Sequence, residues 1–218
     1  MPLMSPPPRA TPPPSQQDDV SHDVSRLLRR LADDGAETGL TLRQIRDRLD
    51  ERAYGLLILL LAIPCLVPGL YGVPQAAGVI VILLAGQMLV GREEPWLPRG
   101  VLNLRCKGGW LTAMADFAEK RLGWIDRLSR PRLRRFADGP GEKLAAAFMI
   151  LAALTIALPL TNTIPSASLA LLSVGLIQRD GLFVIAGAAV ATAWLTILSV
   201  VAAGLLMGAE WATRWLPG

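Results

Sequence analysis

Charge is missing from nearly half of this 218-residue chain. No Asp, Glu, Lys, Arg or His occurs in 53–91 (39 residues), in 144–178 (35 residues) or in 181–209 (29 residues). A membrane-spanning helix needs roughly 20 largely apolar residues. The chain therefore reads as an integral membrane protein, which excludes a soluble enzyme and a disordered chain. A proton relay or ion-coupled pump places an ionisable group inside the membrane, and these runs offer none. The single histidine, His22, precedes the first expected helix and reads as a surface residue. Two cysteines, Cys65 in an apolar run and Cys106 in a basic loop, lack metal-ligand spacing and support no disulfide framework. No G-x-x-x-x-G-K-[ST] is present, which excludes a P-loop. No metal and no cofactor is expected. The chain opens without the apolar stretch of a signal peptide. An enzyme would have to work at the membrane rim with Glu51, Glu142, Arg92, Glu93, Glu94, Arg179 or Asp180. These form no convincing acid–base constellation, so no enzyme is expected.

What charge there is lies in patches. Lys and Arg number 22 against 18 Asp and Glu. Residues 1–20 form a Pro-rich tail, with Pro2, Pro6 to Pro8 and Pro12 to Pro14, of polyproline character. Residues 21–52 read as cytoplasmic amphipathic helices. Val24, Leu27, Leu28 and Leu31 share one face. Thr41 to Gln44 fits a capping box that opens a second helix carrying Leu42, Ile45 and Leu49. Seven acids offset seven bases there, which argues against DNA.

The first membrane hairpin, 53–91, is broken by Pro64, Pro68 and Pro74. The second, 144–178, is broken by Pro159 and Pro165. A shift of 91 positions brings Glu51 onto Glu142, Pro68 onto Pro159, Pro74 onto Pro165 and Gln87 onto Gln178, so the halves read as a duplication. Repeated halves with broken helices are a transporter trait. A 16-residue arm reaches only about 24 Å against a core of roughly 30 Å, so each hairpin is either re-entrant or a pair of short crossing helices.

Residues 92–143 read as basic interfacial or cytoplasmic linker helices. Trp96, Trp110 and Trp124 suit a membrane–water interface. Leu111, Met114, Phe117, Ala118, Arg121 and Leu122 suggest an amphipathic helix lying there. Arg127, Arg130, Arg132, Arg134 and Arg135 read as a positive-inside signal or an anionic-lipid site rather than a nucleic-acid surface. Residues 181–209 form a final transmembrane helix, in which Gly204 and Gly208 make a GxxxG spacing compatible with a homo-oligomer. Residues 210–218, with Trp211 and Trp215, are a tail at the far interface. The fold class is thus an all-α integral membrane protein: two repeated Pro-broken hairpins plus a final transmembrane helix, with short cytoplasmic amphipathic helices.

The candidate substrate-binding groups are the polar residues within the hairpins. They are Tyr71, Gln75 and Gln87 in the first half and Thr161, Asn162, Thr163 and Gln178 in the second, with Ser166, Ser168 and Ser173 beside them. Their hydroxyls, amides and open carbonyls suit a polar substrate such as a sugar or headgroup. The alternative is that they satisfy broken-helix backbone and one another. Positive-inside counting puts 20 Lys and Arg on the side shared by 21–52, 92–143 and Arg179, with Arg9 in the tail and Arg214 alone opposite. This places the N-terminus in the cytoplasm and the C-terminus in the periplasm.

The segment Gly91-Arg92-Glu93-Glu94-Pro95-Trp96-Leu97-Pro98 resembles the GR-x-x-PWLP signature of the ExoD exopolysaccharide-synthesis family of bacterial membrane proteins. Asn162-x-x-Pro165 and Ile177-Gln178-Arg179-Asp180-Gly181 fit the same pattern, with Gln178 where the family often has Glu. The likeness covers about residues 21–210. It implies a multi-pass inner-membrane protein linked to exopolysaccharide production and singles out Arg92, Pro95, Trp96, Arg179 and Asp180 as motif or interface positions. Two functional readings follow. One is a component of synthesis or export that is transporter-like for a lipid-linked or small polar substrate. The other is a structural or regulatory partner of a polysaccharide synthase, in contact with polysaccharide-assembly proteins.

Overall fold

The computed structural model describes residues 24–36, 38–47, 53–67, 72–128, 133–156 and 162–215, without the side chains of 24–25, 121–128, 134 and 208–215. The Pro-rich tail, Glu51, Arg52, residues 129–132 of the basic stretch and the loops carrying Pro68 and Pro159 lie outside it. The described chain is almost entirely helical.

Two hairpins make the centre. α3 (Ala53–Cys65) and α4 (Val73–Val90) form the first, α7 (Pro140–Ile156) and α8 (Thr163–Ile177) the second. Pro64 falls in the last turn of α3, and Pro74 sits in the first turn of α4, where a missing N–H costs nothing. α3 packs on α4 and α8; α7 packs on α8 and α4. The hairpins thus close a cycle of four helices. Glycines set the close crossings between them. A Cβ on Gly55 would stand 2.9 Å from Ile177 Cγ1, and one on Gly78 3.3 Å from the Ala153 carbonyl. Both contacts join the start of one helix to the end of another, so neighbours around the cycle run antiparallel.

α9 (Gly181–Trp215) turns back along α8 and also touches α7. It is tied by buried polar pairs: Ser168 Oγ donates to the Gly187 carbonyl at 2.9 Å, and Trp194 Nε1 donates to Thr155 Oγ1 at 3.2 Å. The segment expected as a tail from residue 210 continues this helix through Trp215. With 35 residues against 15 in α8, α9 is about 52 Å long beside about 22 Å. Among the described residues no helix covers its outer part, and Val200, Leu205, Leu206 and Met207 are each at least 66% exposed. Two helices, Val73–Val90 and Gly181–Met207, are long and apolar enough to cross a membrane, and less than half of each is buried. An apolar surface of this extent suggests membrane association.

The remaining elements form a second layer. α1 (Val24–Asp34) packs on α6 (Gly108–Leu128). Leu28, Leu31 and Ala32 are buried on one, Leu111, Met114 and Ala118 on the other. The apolar stripe of α6, expected at a membrane–water interface, is therefore covered by α1. Periodicity marks an apolar face but does not say which apolar partner takes it. Arg29 ties the pair at its edge, donating to Asp116 at 2.8 Å and to Glu119 at 2.8 and 2.6 Å. Those bonds hold the Glu119 carboxyl below its ordinary value. A two-stranded antiparallel ribbon joins β1 (Leu40–Thr41) to β2 (Arg105–Cys106). α2 (Leu42–Asp47) follows β1, and the short α5 (Arg99–Leu102) precedes β2. The capping box read at Thr41 is present: Thr41 N–H donates to Gln44 Oε1 at 2.9 Å, and Gln44 N–H to Thr41 Oγ1 at 3.2 Å.

Candidate functional site

The antiparallel cycle brings the start of α3, the end of α4, the start of α7 and the end of α8 to one face. A cavity of about 80 Å³ opens there. Tyr54 and Gly55 come from α3, Met88 from α4, Asp138 and Glu142 from the entrance to α7, and Ile177 and Arg179 from the end of α8. The Tyr54 hydroxyl is buried and has no hydrogen-bond partner among the described residues. Arg92, Glu142 and Glu94 lie within electrostatic range of it. Arg179 Nε stands 3.8 Å from Asp138 Oδ1. Burial pushes the Glu142 carboxyl above its ordinary value and the negative charge of Asp138 adds to this, with Arg179 and Lys143 opposing. The site therefore gathers a hydroxyl unpartnered among the described residues, a carboxyl raised above its ordinary value by burial, a second carboxyl and a guanidinium. Such a set donates to and accepts from a hydroxyl-bearing ligand.

Backbone motifs position these groups. α8 ends with Arg179 in the left-handed conformation, φ 51°, and the Asp180 N–H donating to the Gly175 carbonyl at 2.8 Å. α4 ends the same way, with Gly91 at φ 80° and the Arg92 N–H donating to the Gln87 carbonyl at 3.0 Å. Both are Schellman-type turns. Asp180, read with Arg179 as a motif or interface position, is fully enclosed within the protein. Its Oδ1 accepts the Leu182 N–H at 3.0 Å, so it caps α9, whose N-terminal dipole favours the charge. Arg92 is exposed.

The loop after Gly91 folds back on α4. Pro95 and Leu97 are buried, Trp96 is 52% exposed, and Gln87 bonds the Trp96 backbone through both ends of its amide. Gln87 is thus committed to structure. Gln178 sits elsewhere on its helix, at the C-cap of α8 and 1% exposed. In ungapped register the two match, yet α8 stops about one turn earlier than α4.

The remaining expected site residues are at the opposite end of the cycle. Gln75 Oε1 accepts the Gly72 N–H at 2.8 Å and caps α4. Asn162 is the N-cap residue of α8 but makes no capping bond with its side chain, and its Oδ1 is buried without a partner among the described residues. Thr163 is exposed. Tyr71 and Thr161 lie outside the described residues. The structure therefore separates Gln75, Asn162 and Thr163 from Gln87 and Gln178 and does not assemble one site from them. Sequence reasoning passed over Tyr54 and Asp138. The signal for Tyr54 was a hydroxyl at the very start of a charge-free run, in a chain with two tyrosines. Among the described residues no cluster of His, Cys, Asp and Glu could hold a metal ion.

The family model described as "Exopolysaccharide synthesis, ExoD" matches residues 24–200. The chain belongs to the ExoD family. It is 32% identical over 155 residues to Protein ExoD of Rhizobium meliloti, covering 68% of this chain and 64% of that one. The chain thus spans a little under two thirds of that relative's length. It is 28% identical over 155 residues to an uncharacterized protein of Synechocystis sp., covering 68% of this chain and 72% of the other. No solved structure matches. The ExoD-like signature now has a physical account. Gly91 supplies the left-handed turn, Pro95 and Leu97 are buried anchors, and the Trp96 backbone is the clasp for Gln87.

Proposed function

We propose that the chain is a multi-pass inner-membrane protein of exopolysaccharide synthesis or export. In this reading it is transporter-like, and its rim cavity receives a polar group of a lipid-linked or small substrate without making or breaking covalent bonds. The observation that carries the reading is the buried Tyr54 hydroxyl, unpartnered among the described residues, on the wall of a cavity shared with Glu142, Asp138 and Arg179. A buried hydroxyl without a partner costs roughly 1–3 kcal/mol, a cost that a ligand's donor or acceptor would offset.

Several features support the membrane setting and the duplication. The helix pairing is unchanged when the halves are exchanged: α3 on α8 becomes α7 on α4. Substrate sites at the interface of repeats are a transporter trait. Each hairpin returns to the face it left, in keeping with a shared cytoplasmic side for the charged rims and a periplasmic C-terminus. α3 and α8, at about 20 and 22 Å, are short against a core of roughly 30 Å, which favours re-entrant hairpins.

A second reading, a structural or regulatory partner of a polysaccharide synthase, draws on the α1–α6 pair, which packs chiefly on itself and presents charged outer positions. Purified protein in liposomes, given labelled lipid-linked or free sugar, separates these. Movement without a partner supports the first reading. No movement but co-purification with a synthase supports the second. Chemical conversion of the substrate overturns both.

A further inference from the structure

Among the described residues four serine and threonine side chains are buried: Thr155, Ser166, Ser168 and Ser173. Two of them are satisfied. Thr155 donates to the Ala152 carbonyl of its own helix at 2.7 Å, and Ser168 to the Gly187 carbonyl of α9. Helical hydroxyls elsewhere, on Thr192, Thr196 and Ser199, also donate to their own helix. Ser166 and Ser173 differ. Both are 0% exposed, and the Oγ of each has no hydrogen-bond partner among the described residues.

These two hydroxyls lie where α8 crosses α3. They are two helical turns apart and so share one stripe of α8. Cys65 of α3 stands beside Ser166, its Sγ donating to the Leu61 carbonyl at 3.2 Å. Further along the stripe, a Cβ on Gly55 would stand 3.3 Å from the Ser173 carbonyl. Asn162, one turn before Ser166, adds its buried Oδ1. Beyond Ser173 the stripe reaches the rim cavity, whose walls on this side are Tyr54 and Gly55 of α3 and Leu176 and Ile177 of α8. A row of unsatisfied oxygens thus runs about 16 Å, from Asn162 to Ser173, and continues to Tyr54. The other crossing between the hairpins, α4 on α7, is built of Gly78, Ala153 and Ile156.

We propose that the α3–α8 seam is the path by which an uncharged, hydroxyl-bearing part of the substrate passes from the rim cavity into the protein, with Ser173 and then Ser166 as successive hydrogen-bond partners. A hydroxyl both donates and accepts, so it can exchange bonds with substrate hydroxyls one step at a time. Residues 53–91 and 144–178 contain no Asp, Glu, Lys, Arg or His, so the seam offers a charged group no counter-ion. Charge on a substrate stays at the rim, where Arg179, Asp138 and Glu142 stand. The inference rests on the transporter-like reading above, but access to the seam is measured without any substrate.

The test uses the full-length Cys65→Ala, Cys106→Ala protein in membrane vesicles, with one cysteine restored by Ser173→Cys, Ser166→Cys or, at the α4–α7 crossing, Ala153→Cys. A small hydrophilic methanethiosulfonate is added, and its attachment is followed by intact mass. Positions 173 and 166 should react roughly tenfold faster than 153, the ratio given by a local opening easier by about 1.4 kcal/mol. Reaction at 173 and 166 no faster than at 153 overturns the proposal. In cells, Ser166→Ala with Ser173→Ala should cut polysaccharide output several-fold. The same variant in detergent should unfold at an unchanged or higher temperature, because two unsatisfied hydroxyls are removed, whereas Ser168→Ala loses a bond and should unfold lower. Wild-type output from the double alanine variant also overturns the seam. The rim reading then stands if Tyr54→Phe with Glu142→Gln abolishes output, and falls if it does not.

Discussion

Gln87 holds Trp96 by both ends of its amide: Nε2 donates to the Trp96 carbonyl at 2.8 Å, and Oε1 accepts the Trp96 N–H at 2.7 Å. A side chain in the last turn of α4 thereby does for the loop what a strand partner would do. The Nε2 group also reaches the Leu83 carbonyl at 3.1 Å, so the clasp is anchored on its own helix. Through it, Pro95 and Leu97 are pressed into the protein and Trp96 is left outside.

Gln87→Leu should release this loop. It removes one acceptor and one donor from the Trp96 backbone, at a cost of about 1–3 kcal/mol if those groups stay shielded from water. Gln87→Glu keeps the acceptor alone and should fall between. Limited proteolysis within residues 92–98, compared with that of the wild type, reports the opening. Equal cleavage of the Leu variant would show the clasp to be incidental.

Arg179 couples stability to binding. A side chain at φ 51° carries a cost of roughly 1 kcal/mol that glycine avoids. Arg179→Gly should raise thermal stability while removing the guanidinium from the rim cavity and so lowering function. Asp180→Ala, by contrast, should cost about 1 kcal/mol through loss of the α9 cap, and Asp180→Asn should largely restore it. Thermal unfolding of the three variants in detergent reads both effects.

Glycines on α9 should differ by position. A Cβ on Gly187 would stand 2.7 Å from Leu172 Cγ and 2.9 Å from Leu172 N, so Gly187→Val should cost about 1–3 kcal/mol through overpacking against α8. Gly204 has nothing within 4 Å. Gly204→Val should leave the monomer's stability unchanged. If the GxxxG spacing joins two copies, the same substitution should shift the cross-linked dimer fraction. An unchanged dimer fraction removes that surface from any homo-oligomer.

The pH dependence of Glu142 has a definite sign. Its carboxyl is raised in the folded protein, first by burial and then by Asp138. The stability held by its neutral form is complete below the ordinary carboxyl value and is lost as pH rises through the folded one. Glu142→Gln keeps the site uncharged, so the stability difference between the variant and the wild type should widen from acidic to neutral pH. Glu119 has the opposite sign, since Arg29 lowers it and its contribution fades as pH falls. Subtracting the wild-type curve cancels that contribution. A difference that does not change with pH would contradict the burial of Glu142.

Much of this architecture is legible in the sequence because its signals are local. Charge-free runs and prolines set the hairpins, and Thr41 with Gln44 set the start of α2. What stayed hidden depends on partners distant along the chain. The stripe on α6 needed α1 before its fate could be read. The match of Gln87 to Gln178 concealed an offset of one turn, because Arg179 takes the left-handed position that glycine fills at residue 91. The rim cavity is assembled from four helix ends, and nothing local marks Tyr54, at the edge of an apolar run, as one of its walls.

The account's central claim is that the rim where the hairpins meet carries the function. Its most direct measurement is exopolysaccharide output from a strain whose only copy carries Tyr54→Phe with Glu142→Gln, at unchanged membrane level. Tyr54→Phe removes the hydroxyl and Glu142→Gln the titratable carboxyl, each with almost no change of shape. The account predicts a large loss of polysaccharide, with Asn162→Ala at the opposite end giving a smaller effect. Wild-type output from the double variant, at normal protein level, would contradict it.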